Sequence, residues 1–149
     1  MPRAPCCSAP SERRIRVRVL ALDYGSGRTG VAISDASGTL ARPLAIVRRA
    51  AARAGLAELS AIIERERPEL IVVGLPLTLA GQKGPQAAET ASFVGRLRER
   101  CTIPIVMEDE RFTTKIARDL VPGRPEGDDA AAAAVLLQGY LDRRAGEDR

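Results

Sequence analysis

The sequence predicts one α/β domain: a mixed five-stranded sheet flanked by helices, in the order βββαβαβαα. Three observations carry this. First, three apolar segments near the N-terminus (Arg16–Asp23, Gly27–Asp35 and Thr39–Val47) are joined by turns too short for a crossover, so they form an antiparallel meander. Second, the later run "ELIVVGLP" is continuously apolar, as strands buried on both faces are. Third, helical segments alternate with strands from Ala51 onward, which implies helices packed on the sheet. A length of 149 residues suits a single domain. A domain of this size buries roughly 68–70% of its unfolded surface and needs neither disulfide nor metal to fold.

Each element follows from its local pattern. "RVRVLALD" alternates and then turns solidly apolar, as a strand entering a core does. "GRTGVAISD" is a second strand, reached through a glycine-rich turn. "TLARPLAIV" is a third, after the turn signal "DASG"; its Pro43 places it at a sheet edge or beside a bulge. Ala51–Arg67 aligns Leu56, Leu59 and Ile63 on one helical stripe, and Pro68 marks its end. After the loop "LTLAGQKG", Pro85 opens a helix with Ala87, Ala91, Val94 and Leu97 on one face. Ile103–Asp109 is a fifth strand, Thr113–Val121 a short helix, "PGRPEG" a loop and Asp128–Arg144 the last helix. Residues 1–15 read as a flexible tail, 16–144 as the domain and 145–149 as a second short tail.

Composition narrows the chemistry. The net charge is +4, and of 23 basic residues only Lys83 and Lys115 are lysine. Arginine grips phosphate bidentately, so an arginine-heavy basic domain points toward nucleic acid, although genomic base composition produces the same bias. The chain has no histidine. That excludes a Ser-His-Asp triad, a histidine base and a His-ligated zinc site. Carboxylates without histidine favour a hard divalent ion, Mg²⁺ or Mn²⁺. Cys6, Cys7 and Cys101 make neither a zinc pattern nor a disulfide framework, and suit a reducing compartment. No apolar run is long enough to span a membrane. The first fifteen residues lack the apolar core of a secretory signal; a basic tail is a better reading than a transit peptide.

Acids stand at three element ends: Asp23, the pair Asp109–Glu110, and the pair Asp128–Asp129. Open α/β sheets collect ligands beyond the carboxyl ends of their strands, so these acids are expected to share one rim. Asp129, Ala133, Leu136 and Tyr140 lie on one helical face, which makes Asp129 the inward acid. Asp128 is rotated by about 100° and serves as N-cap. Clustered carboxylates need neutralising, and metal ions that do so can drive phosphodiester hydrolysis. Glycine beside Asp23 lets backbone N–H groups approach a phosphate, and Arg28, Arg111 and Lys115 add positive charge there. Each feature has a purely structural reading: Asp23 as a turn residue, Asp128 or Asp129 as a plain cap, Glu110–Arg111 as a local ion pair. Convergence on one rim favours the functional reading.

The stretches "LALDYGSGRTGVAISD", "ARPLAIV", "IVVGLPLTLAG", "EDERFTT" and "DDAAAAAVLLQGYL" together resemble the YqgF/RuvX family of Holliday-junction-resolvase-like proteins. The resemblance runs in order from about Val19 to Leu141. It implies an RNase H-like fold, a bacterial cytoplasmic protein and a divalent-metal nuclease that matures the small-subunit ribosomal RNA precursor. Junction resolution is the alternative activity. By position it implies Asp23, Glu110 and Asp129 as metal ligands and catalytic acids; within "DER" it selects Glu110 over Asp109. It implies nucleic acid, structured RNA or branched DNA, as partner, and it leaves a homodimer open. Two departures stand out. Ala80 replaces an acid that relatives often carry, and "VPGRPEG" is shorter and less basic than the segment often found there.

Two other classes remain beside the nuclease. An actin-like ATPase or sugar-kinase fragment also opens with Asp-x-Gly, but needs a second lobe that this length does not supply. A non-catalytic assembly factor could keep the fold without the reaction. Mutation of Asp23 separates a nuclease, which loses cleavage, from a binder, which has none to lose.

Overall fold

A computed structural model describes residues 17–25, 27–75, 84–109 and 129–147. In chain order the elements are β1 (Val19–Asp23), β2 (Arg28–Ser34), β3 (Ala41–Arg48), α1 (Arg53–Glu66), β4 (Leu70–Leu75), α2 (Pro85–Arg98), β5 (Ile105–Asp109) and α3 (Asp129–Glu147). The expected helix Thr113–Val121, the loop "PGRPEG", and Glu110, Arg111, Lys115 and Asp128 lie outside the described residues. The sheet order is β3-β2-β1-β4-β5. β1 to β3 form the expected antiparallel meander, and β1, β4 and β5 run parallel.

The sheet is covered on both faces, and alternation along β1 assigns its residues. Leu20 and Leu22 face α1 and α2, packing with Leu59, Ile63, Phe93 and Leu97. Val19 and Ala21 face α3, packing with Ala133, Leu136, Leu137 and Tyr140. A central strand flanked on both sides therefore reads as solidly apolar, as β1 and β4 do. Truncating a fully buried leucine such as Leu20, Leu22 or Leu59 to alanine costs about 2–5 kcal/mol in cores of this kind.

β3 is an edge strand, and its pairing with β2 shifts register between Val31 and Ala32, opposite Ala45 and Pro43. Pro43 thus meets both conditions that a proline in a sheet requires. The "DASG" turn is held by Asp35, whose carboxylate accepts from the Thr39 N–H at 2.9 Å and the Ser37 hydroxyl at 2.9 Å. These bonds, the Thr39 amide foremost, hold the Asp35 carboxyl below its ordinary range. α1 ends at Arg67 in the left-handed conformation, where its N–H donates to the Ile63 carbonyl just before Pro68.

One helix face differs from expectation. Ala91 of α2 is exposed, and the buried stripe is Ala87, Thr90, Phe93, Val94 and Leu97. Phe93 is among the largest fully buried side chains. Burying that ring turns the helix toward it, and Thr90 tolerates burial because its hydroxyl donates to the Gln86 carbonyl at 2.8 Å. β5 begins at Ile105 rather than Ile103, since Pro104 has no N–H to give the ladder; its carbonyl accepts from Ile71.

Candidate functional site

The carboxyl ends of β1, β4 and β5 share one rim, as their parallel pairing requires. Asp23 is the last residue of β1. It continues the Val19, Ala21 alternation, so it lies on the sheet face that α3 covers. Directly across the antiparallel ladder from Asp23 is Gly30 of β2.

α3 begins on top of Gly30. A Cβ there would overlap the Asp129 carbonyl and crowd the Ala130 amide nitrogen. Only a residue without a side chain lets the helix come this close. One glycine therefore brings the first-strand acid and the last-helix acid together: Asp23 is its ladder partner and Asp129 its lid. Of the other glycines in the turn, Gly25 is required by close approach to the Arg28 carbonyl, whereas a Cβ on Gly27 meets none of the described residues. The Thr29 hydroxyl closes the same turn, 3.4 Å from the Gly25 nitrogen.

Two residues along β2 from Gly30 stands Arg28, on the same face. Its Nε lies 3.2 Å from Asp129 Oδ2. The distance makes an ion pair, yet Oδ2 is buried and accepts no hydrogen bond among the described residues, so the guanidinium N–H is not aimed at it. Both side chains are partly exposed, 41% for Arg28 and 32% for Asp129, and a pair this wet is worth little by itself. The side chain as a whole is half-wet, but its Oδ2 is a buried anionic oxygen without a hydrogen-bond donor among the described residues, and such an oxygen suits an oxygen-seeking cation. Asp23 and Asp129 thus fit a hard divalent ion. Among the described residues no three acids, cysteines or histidines stand together, and the expected third acid, Glu110, is outside them. Glu108 is on the α3 face but is already held, its Oε1 2.6 Å from Arg143 Nη2.

Sequence reasoning passed over Tyr24. In phase with Leu20 and Leu22, it turns away from Asp23 and stacks on Phe93 with ring centroids 4.6 Å apart and planes 20° from parallel. Burial, helped by the nearby Glu89 charge, raises its phenol above the ordinary range, with Arg96 opposing. The stack pins the strand end that carries Asp23. The signal was present in the alternation of β1; its partner on α2 was not.

Comparison with known proteins agrees with this frame. A family model described as "RuvX: Holliday junction resolvase" matches residues 17–143. A protein of Desulforudis audaxviator (strain MP104C) named "Putative pre-16S rRNA nuclease" is 37% identical over 135 residues, spanning 86% of this chain and 96% of its own. A protein of Dehalococcoides mccartyi (strain ATCC BAA-2266 / KCTC 15142 / 195) with the same name is 42% identical over 118 residues, spanning 76% of this chain and 89% of its own. Among solved structures, T. thermophilus RuvC in complex with Holliday junction substrate aligns with a TM-score of 0.56 at 19% identity, covering 87% of this chain and 96% of that one. The fowlpox virus resolvase with substrate Holliday junction DNA aligns with a TM-score of 0.53 at 14% identity, covering 85% and 97%. At these identities the structural likeness is one of fold, and it bears out the RNase H-like class.

Proposed function

We propose, from the premise that the chain belongs to the RuvX family, that it is a divalent-metal-dependent nuclease acting in the cytoplasm on the precursor of 16S ribosomal RNA. The observation that carries this is the placement of Asp23 and Asp129 on either side of Gly30 at the carboxyl-end rim, with Asp129 Oδ2 buried and accepting no hydrogen bond among the described residues. Relatives named as pre-16S rRNA nucleases supply the substrate.

Asp23 and Asp129 would hold Mg²⁺ or Mn²⁺. Glu110 is the proposed third ligand, the acid of "DER" that the family resemblance selects. When bound, such an ion supplies the charge that polarises a phosphoryl oxygen and lowers the pKa of a water. The chain's own residues do the rest. Asp23 and Asp129, fixed on a strand end and a helix start, set where the phosphate sits. Arg28, beside them and partly exposed, grips non-bridging oxygens. Arg111 and Lys115 are proposed as further phosphate contacts.

The test is cleavage of a labelled 16S-precursor RNA and of a four-way DNA junction, with Mg²⁺, Mn²⁺ or chelator, by the wild type and Asp23→Asn. Metal-dependent RNA cleavage lost in the variant supports the reading. Cleavage of the junction alone replaces the substrate with branched DNA. Tight binding without cleavage under either metal overturns the enzyme in favour of a binding protein.

A further inference from the structure

The arginines of the site continue onto a surface that no role so far has used. Between Asp35 and Glu58 the chain has no acidic residue, and it carries Arg42, Arg48, Arg49 and Arg53. Three of these converge on the rim. Arg48, the last residue of β3, is the ladder partner of Arg28, so two like charges stand directly opposite each other. Their row lies one alternation step, about 7 Å, along β2 from the row that holds Asp23 and Gly30. Arg49 follows in the left-handed conformation at φ 48°. Its N–H donates to the Gly27 carbonyl at 3.0 Å, and its carbonyl accepts from Ala52 at 2.9 Å. Gly55 lets the first turn of α1 rest on that carbonyl. The β3–α1 turn is thereby fastened to the glycine turn beside Asp23. Arg53 then opens α1, whose first turn has no acid. Arg48, Arg49 and Arg53 are all exposed.

Each placement works against folding. Like charges opposite one another on a ladder repel, a cation at a helix start opposes the helix dipole, and a left-handed backbone is disfavoured for arginine. A polyanion along this edge relieves the first two at once. We propose that Arg48, Arg49 and Arg53 form a binding track for the phosphodiester backbone flanking the scissile bond, continuous with Arg28. The inference rests on the nuclease reading above and adds where the strand runs: off the Asp23–Asp129 rim and over the β3–α1 turn. It also names where binding strength comes from in a chain whose "VPGRPEG" segment is short and carries one arginine.

The test replaces all three with glutamine (Arg48→Gln, Arg49→Gln, Arg53→Gln) and, in a second protein, with lysine. Anisotropy of a fluorescein-labelled RNA hairpin with single-stranded flanks, in Ca²⁺, is read across a KCl series. The glutamine protein should bind at least about tenfold more weakly, with a salt slope shallower by about two, as the loss of three phosphate contacts on a single strand predicts. The lysine protein should keep the slope, and calorimetric Mn²⁺ affinity of the glutamine protein should not fall. Wild-type affinity and slope in the glutamine protein would overturn the track and leave the nuclease standing. An equal loss of slope in the lysine protein would overturn it too, because the loss would not follow charge. A wild type that binds neither the hairpin nor a four-way DNA junction would remove the nuclease reading and the track with it.

Discussion

Replacing Gly30 with alanine puts a methyl group where the Asp129 carbonyl stands. Ordinary contact with a Cβ begins near 3.4 Å, and this one would fall far inside that limit. Both obstructing groups, the Asp129 carbonyl and the Ala130 nitrogen, are backbone, so no flexible side chain can yield. Either β2 bends or the start of α3 lifts. Overpacking of this kind costs about 1–3 kcal/mol. In a domain of this size that is roughly 2–12 °C of melting temperature. The functional cost should be larger in proportion. Lifting α3 moves Asp129 away from Asp23, and a displacement near 1 Å at a reacting centre costs on the order of 100-fold. Gly27, three positions earlier in the same motif, is the internal control: a Cβ there meets nothing within 4 Å among the described residues. Gly27→Ala should stay within about 0.5 kcal/mol of wild type. The assay is thermal denaturation beside metal-dependent cleavage for both variants. Equal behaviour of the two alanine variants, in stability and in rate, would refute the claim that Gly30 is what seats Asp129 against β1.

Two further outcomes follow from the charges. Arg28→Gln removes a cation 3.2 Å from Asp129 Oδ2. It should raise Mn²⁺ affinity roughly twofold to fivefold, the scale of an exposed charge interaction, while weakening RNA binding; changes of the same sign in both titrations would contradict the dual placement. Asp35 has a carboxyl held below its ordinary range by the Thr39 amide, with Ser37, Leu40 and Gly38 assisting. A depressed carboxyl contributes stability in full above its unfolded value near 3.9, and that contribution is lost as pH falls through the lower folded value. Asp35→Asn should therefore be less stable than wild type at neutral pH, with the gap closing as the pH falls below the ordinary carboxylate range. A gap of constant size in urea titrations at both ends would show that the turn does not use the charge.

Period and punctuation in the sequence were enough for the meander, the parallel strands, the edge position of Pro43 and the inward face of Asp129, because each depends on residues close together in the chain. Asp129, Ala133, Leu136 and Tyr140 could be placed on one face by counting, and the latter three are buried there. The α2 face was misjudged because the choice between Ala91 and Thr90 turns on Phe93 meeting Tyr24, a contact between distant segments. Arg48 went unnoticed as a neighbour of Arg28 for a similar reason. The register that opposes them passes a bulge, and one residue of slip would send Arg48 to the other face. The glycine beside Asp23 was read as room for a phosphate; Gly30, across the ladder, makes room for a helix. Local pattern reports that a glycine is needed; only the packed fold reports what it admits.

The most direct test is calorimetric titration of Mn²⁺ into the wild type, Asp23→Asn and Asp129→Asn, with melting curves to confirm that each variant folds. Outer-shell partners of a metal site are worth about 10–100-fold in affinity, so the loss of a true ligand should match or exceed that range. The account predicts saturable wild-type binding that falls by at least about tenfold in each variant without loss of the fold. Unchanged Mn²⁺ affinity in both folded variants would contradict it, since the acids that meet across Gly30 would then not be the place where the ion sits.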